Sequence, residues 1–189
     1  MIKAVIFDCF GVLTTDTWRA FCDSLPPGAD VARARELNHR YDEGLVSREE
    51  FLDGVFQLTG QRPRQVEKLL DSEITKNRLL LDYIRELKPR YKIGLLSNVA
   101  TPWITDTFLT AEEQKLFDDM VFSFEVSMTK PDPRIFQVAA DRLGVTPADC
   151  LFIDDIASYA AAARKVGMPA VVYQNYPQTR AEIEKILAK

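Results

Sequence analysis

Asp8 ends the unbroken apolar run Ala4-Val5-Ile6-Phe7, and Asp154-Asp155 ends another, Cys150 to Ile153. Ser97-Asn98 follows Ile93-Gly94-Leu95-Leu96, and Lys130 stands just past Met120 to Val126. Each run thus releases a particular chemical type at its carboxyl end. Three carboxylates in one cleft repel one another unless a proton or a cation intervenes. Hard oxygen donors of this kind suit Mg²⁺, which takes one or two carboxylates together with phosphate oxygens. Lys130 supplies a compact positive charge, and the Ser97 hydroxyl and Asn98 amide can donate to an anionic oxygen. Together these groups describe a site for a phosphoryl group with Asp8 as nucleophile. Each has a plainer reading as well. Asp8 or Asp155 can cap a turn or a helix, Ser97-Asn98 can form a turn, and Lys130 can be a solvated loop lysine.

These residues act together only if the elements carrying them share one sheet edge. An apolar run without alternation reads as a strand buried on both faces of a parallel sheet. The expected strands are Lys3 to Asp8, Lys92 to Ser97, Met120 to Val126, Cys150 to Asp154 and Ala170 to Tyr173. Helical patterns lie between them: Leu80, Ile84 and Leu87; Pro102 to Thr110 and Ala111 to Phe117; Ile135 to Leu143 behind the Asp132-Pro133 start; Ile156 to Val166; and a last helix marked by Ile183, Ile186 and Leu187. Alternating strands and helices predict a three-layer α/β fold, a doubly wound parallel sheet that binds ligands at its strand carboxyl ends. Between the first two strands, roughly 16–77, strand signals are absent. Four short helices are expected there, the third opened by the Ser47/Glu50 capping box. The chain therefore reads as an α/β core, 1–15 and 78–189, with a small all-α cap, 16–77.

Composition narrows the function classes. The chain has 189 residues, 47% of them hydrophobic, which allows one core of ordinary size with a small insert. A formal net charge of −4 gives no basic footprint for nucleic acid. No apolar stretch nears the roughly 18 residues of a membrane span, and the first apolar run stops at Asp8, too early for a signal peptide. Three cysteines, Cys9, Cys22 and Cys150, are few and odd in number, so free thiols and a cytoplasmic setting are expected.

In order and spacing the chain resembles the haloacid dehalogenase superfamily of hydrolases over nearly its whole length. Ile6-Phe7-Asp8 with Gly11-Val12-Leu13 is similar to the nucleophile motif, and Leu95-Leu96-Ser97-Asn98 to the second motif, whose Ser or Thr holds the phosphoryl group. Lys130-Pro131-Asp132-Pro133 is similar to the third, whose Lys neutralises charge, and Phe152-Ile153-Asp154-Asp155 to the fourth, which holds Mg²⁺. The segment Tyr41 to Phe51 resembles the cap of the branch containing glucose-1-phosphate phosphatases. The resemblance implies a Rossmann-like core and Mg²⁺-dependent hydrolysis of a small phosphate ester, a sugar phosphate among the candidates, through an aspartyl-phosphate on Asp8. It implies metal binding by Asp8, the Phe10 backbone carbonyl, Asp154 and Asp155.

Phe10 departs from the pattern. Most phosphatases of the family carry a second Asp there, which protonates the leaving group and then activates water. General acid–base catalysis is worth roughly 10²- to 10⁴-fold, so its loss is felt unless another group or the substrate compensates. An aromatic residue at this place is similar to the haloacid dehalogenases, which release halide without a proton and use no metal; Asp154-Asp155 speaks against that reading. A nearly inactive phosphate-binding homologue is the other alternative. Tyr159 is a second departure, standing where relatives often have Asn. Asp132 reads as a helix cap, Arg33, Arg35 and Arg40 as a solvated face, Trp18 as packing, His39 as a cap residue without a catalytic role, and Cys9 as buried and turned away from Asp8.

Overall fold

The structure, a computed structural model, describes residues 1–70 and 75–188, the side chains of 69 and 70 excepted. Five parallel strands form one sheet: β1 (Ala4–Phe7), β2 (Lys92–Ser97), β3 (Asp119–Phe122), β4 (Cys150–Asp154) and β5 (Ala170–Val172), in the order β3-β2-β1-β4-β5. Strand β1 is central, and its residues are buried throughout, as its unbroken apolar sequence requires. The helices are α1 (Thr17–Asp23), α2 (Val31–Asp42), α3 (Arg48–Thr59), α4 (Pro63–Leu70), α5 (Arg78–Leu87), α6 (Ala111–Gln114), α7 (Ser123–Val126), α8 (Pro133–Arg142), α9 (Ala157–Lys165) and α10 (Tyr176–Leu187). None of the described helices is long and apolar enough to cross a membrane.

Alternation along the strands sorts side chains to two faces. Val5, Phe7, Ile93, Leu95, Leu151 and Ile153 pack against α5 and α10 through Leu80, Ile84, Leu87 and Ile183. Ala4, Ile6, Leu96 and Phe152 pack against α8 and α9 through Ile135, Phe136, Ala139 and Ala163. The result is the three-layer doubly wound arrangement. Gly94 permits the close approach of α8, since a Cβ there would meet Leu143 Cδ1 at 2.9 Å.

Helices α1 to α4 share a separate apolar cluster of Phe21, Cys22, Phe51, Leu52, Val55 and Val66. The Ser47/Glu50 capping box opens α3. The chain returns to the sheet at Asn77, which caps α5 and donates to the Val12 carbonyl at 2.9 Å and the Tyr173 hydroxyl at 2.7 Å.

Several expected elements come out differently, the first strand being trimmed by one residue at each end, to Ala4–Phe7. The third strand stops at Phe122, and Ser123 to Val126 is a single helical turn instead. The reason is Ser123, whose hydroxyl accepts from Val99 N at 2.8 Å and sits 2.6 Å from the Asp42 carbonyl, pulling the chain off the sheet. Between 102 and 117 the expected pair of helices reduces to a wide turn, Ile104–Phe108, and α6. The last strand ends at Val172, one residue early.

Candidate active site

Register brings the acids together. Phe7 pairs with Ile153, and Asp8 N donates to the Ile153 carbonyl at 2.9 Å, so Asp8 and Asp154 leave adjacent strands side by side. Gly11 then turns the chain with φ +83°, and a Cβ at this position would collide with the Asp155 carboxylate. Asp8, Asp154 and Asp155 each offer an oxygen within 4.8 Å of the others.

Lys130 joins this group from the loop before α8. Its Nζ lies 2.7 Å from Asp8 Oδ1 and 2.7 Å from Asp154 Oδ2. It is 1% exposed, which removes the reading of a solvated lysine. The rings of Phe152 and Tyr159 lie 5.5 and 5.2 Å from the ammonium. Asn98 holds the Lys130 backbone from both sides: Lys130 N donates to Asn98 Oδ1 at 2.8 Å, and Asn98 Nδ2 donates to the Lys130 carbonyl at 3.0 Å. Part of the amide expected to face an anion is thus engaged in placing Lys130, and one N–H is left for other partners. Ser97 is fully buried, and its Oγ has no hydrogen-bond partner among the described residues.

The electrostatics follow from burial. Burial pushes the Asp8 carboxyl above its ordinary value; Lys130 opposes the rise and Asp154 adds to it. Asp154 is likewise raised by burial, against the pull of Lys130. Burial works to lower the Lys130 ammonium, yet Asp154 and Asp8 outweigh it and carry it up. One further cation reaches the site: Arg19 of α1, whose Nη1 lies 2.6 Å from Asp155 Oδ2. Nothing in the sequence signalled that contact, because it joins residues 136 positions apart. The second Asp155 oxygen is buried without a partner among the described residues. Three carboxylates against two cations, with an orphaned carboxylate oxygen among them, is a donor set that fits a divalent cation.

A model of the haloacid dehalogenase-like hydrolase family matches residues 2–167. The chain belongs to the haloacid dehalogenase-like hydrolases. Among the similar proteins of this family, a phosphatase from Mycobacterium tuberculosis is 29% identical over 99% of the chain and 94% of its own length. A β-phosphoglucomutase from Bacillus subtilis is 30% identical over 96% of the chain and 88% of its own length. A D-ribitol-5-phosphate phosphatase from Bacteroides thetaiotaomicron is 28% identical over 99% of both chains. With phosphatases among relatives of this span, the present chain is a hydrolase of the phosphatase type. The fold is shared with a haloacid dehalogenase family enzyme from Bacteroides thetaiotaomicron, crystallised with magnesium and inorganic phosphate, at a TM-score of 0.71 and 21% identity over 95% of this chain and 99% of that one. A hydrolase of the family from Porphyromonas gingivalis superposes at 0.73, with 26% identity over 100% and 99% of the two chains.

In this hydrolase Asp8, Asn98, Lys130 and Asp155 line a cavity of about 640 Å³, which is also walled by α1 and α2. Phe10 stacks on Trp103 with ring centroids 5.7 Å apart and forms one side. Trp18 lines the other side and packs on Phe21 and Phe51, so its role in packing does not keep it out of the cavity. Arg35 and His39 line the cavity as well. Arg35 is therefore not merely on a solvated face, while Arg33 and Arg40 lie outside the lining. Thr129 Oγ1 lies 3.2 Å from the His39 ring nitrogens and donates to Glu43 Oε1 at 3.0 Å, joining α2 to the residue before Lys130. Asp155 is not the cap of α9, whose N-cap position is Ile156 with no side-chain cap bond; Asp154 Oδ1 accepts from Ile156 N at 2.8 Å. Asp132 accepts from Arg134 N, as a helix cap does. Cys9 is buried with Val5 and Phe7 on the α5 face, and all three cysteines are free.

Asp42, at the end of α2, also lines the cavity. Asp42 is half-buried, and the desolvation of its carboxyl pushes it up to about 8, only partly opposed by the Asn38 amide donating at 2.8 Å. The folded protein therefore binds this proton more tightly than the unfolded chain does. Stability is lost as pH rises from about 4 to about 8, because the native state holds the proton and the unfolded state releases it. Asp42→Asn lacks the titration, so its thermal midpoint gains on the wild type across that window. Midpoints that keep a constant difference from pH 4 to 8.5 would contradict the assignment.

Proposed function

We infer that this hydrolase cleaves the phosphate monoester of a small phosphorylated molecule, a sugar or polyol phosphate being the class that the relatives' names favour. The observation that carries the reading is the meeting of Asp8, Asp154 and Asp155 with the buried Lys130; Ser97, with its unpartnered hydroxyl, ends the neighbouring strand β2. Asp8 attacks phosphorus, the ester oxygen departs with its electron pair, and water then cleaves the aspartyl-phosphate. Lys130 neutralises charge between nucleophile and phosphoryl group, and Ser97 Oγ, with the remaining Asn98 N–H, donates to phosphoryl oxygens. Asp8, Asp154, Asp155 and the Phe10 carbonyl would hold Mg²⁺. When bound, it would draw charge from the phosphoryl oxygens and keep Asp8 ionised against the pull of burial. Helices α1 to α4, residues 16–77 of the chain, act as a cap over this site.

The test is a panel of phosphate esters and one 2-haloacid, each assayed with Mg²⁺ and with excess chelator. Phosphate release should need the cation and return when it is restored. Haloacid turnover unaffected by chelator, with no phosphatase activity, would favour the metal-free dehalogenase chemistry that an aromatic residue at position 10 also suits.

A further inference from the structure

Alkyl phosphates are poor substrates for a hydrolase that cannot protonate the departing alkoxide, and Phe10 carries no proton to give. The replacement has to lie where the leaving oxygen goes. In-line displacement places that oxygen across phosphorus from the attacking atom. Asp8 attacks from the sheet edge, so the leaving group points into the cavity and toward α2. We propose that Asp42 of α2 is the general acid of this enzyme, delivering the proton that the side chain at position 10 does not. The proposal rests on the phosphatase reading above.

Three observations support it. Asp42 lines the same cavity as Asp8 and Lys130 and has no cation paired with it among the described contacts; its Oδ2 accepts from Asn38. Its backbone is fixed to the core, since Ser123 Oγ reaches the Asp42 carbonyl at 2.6 Å while accepting from Val99 N at 2.8 Å, two residues past Ser97. The acid is thereby tied to the loop that holds the phosphoryl group. The charged groups around it settle its protonation. Burial raises it, Asp16 and Glu43 add to the rise, and Lys130 is too weak a counterweight, so the carboxyl holds its proton at neutral pH. A carboxylic acid poised near the working pH is the tuning that general acid catalysis needs.

The proton accounting closes over both half-reactions. As the P–O bond to the leaving group breaks, Asp42 gives its proton to the alkoxide, releasing the alcohol and leaving Asp42 as a carboxylate. Water then enters from the side the alcohol vacated. Its oxygen bonds to phosphorus, its proton returns to Asp42, and the Asp8–phosphorus bond breaks to regenerate Asp8.

The experiment compares Asp42→Asn with the wild type on p-nitrophenyl phosphate and on an alkyl phosphate such as glycerol phosphate, with Mg²⁺ present. Nitrophenolate leaves without a proton. The variant should lose roughly 10²- to 10⁴-fold in kcat/KM on the alkyl ester and far less on the aryl ester. Because the comparison is a ratio between two esters on one preparation, partial unfolding cancels. Wild-type activity on the alkyl ester should also fall above pH 8, with no such limb in the variant. Phe10→Asp placed in the Asp42→Asn background should restore part of the alkyl activity. An equal loss on both esters, or a selective alkyl loss in His39→Gln in its place, would overturn the role of Asp42 while leaving the phosphatase reading intact. A wild type that releases phosphate from neither ester would remove both.

Discussion

Asp8→Asn folds as the wild type does and turns over no phosphate ester. The amide has nearly the shape of the carboxylate but is a poor nucleophile, and the expected loss is on the order of 10⁶-fold, the scale at which hydrolases lose their attacking residue. The change also relieves a buried acid whose carboxyl is pushed up by burial, so no loss of fold is expected to confuse the result. The measurement is single-turnover and steady-state phosphate release, with the thermal midpoint as a control. Residual turnover above a background set by a mock purification would show that Asp8 does not attack phosphorus.

Lys130→Ala has the second largest effect, and it strikes stability and turnover together. The ammonium lies 2.7 Å from each of two buried carboxylates. Removing it leaves both buried without their counter-charge, and breaking a buried pair in this way costs about 3–5 kcal/mol. For a chain of this length that corresponds to a fall in the thermal midpoint of roughly 10 °C. The sign with pH is specific. Without Lys130 the two carboxylates hold protons more tightly, so the defect shrinks as pH falls and they neutralise. Turnover at neutral pH should fall on the order of 10²- to 10³-fold, the range for losing one electrostatic stabiliser of a transition state. Calorimetry from pH 4 to 8 with chelator present separates the two effects. A variant with wild-type midpoints would mean that Lys130 does not balance these acids, and one with wild-type kinetics would remove it from the reacting phosphoryl group.

The fold was legible in the sequence because a strand buried on both faces has no polar positions to spare. Ala4 to Phe7 and Cys150 to Ile153 could form little else, and the helices between them announce themselves by apolar spacing and by capping residues such as Ser47 and Asp132. The third strand was overestimated because Phe122-Ser123-Phe124-Glu125-Val126 alternates apolar and polar residues as a strand does. Its end is set by Ser123, whose partners Val99 and Asp42 lie 24 and 81 positions away. The same limit governs the site. Sequence placed Asp8, Ser97 and Asp154 at strand ends, since residue type and the abrupt end of an apolar run are local facts; Lys130, expected just past the third strand, instead comes from the loop between α7 and α8. Only tertiary structure could set Asp8 beside Asp154 through strand register, turn Asn98 toward the Lys130 backbone, and bring Arg19 to Asp155. Asp42 was the least visible, an ordinary acid at the end of a charged helix. Its chemistry comes from its place at the cavity wall, where tertiary packing partly desolvates its carboxyl, and no local pattern encodes what will pack against a side chain.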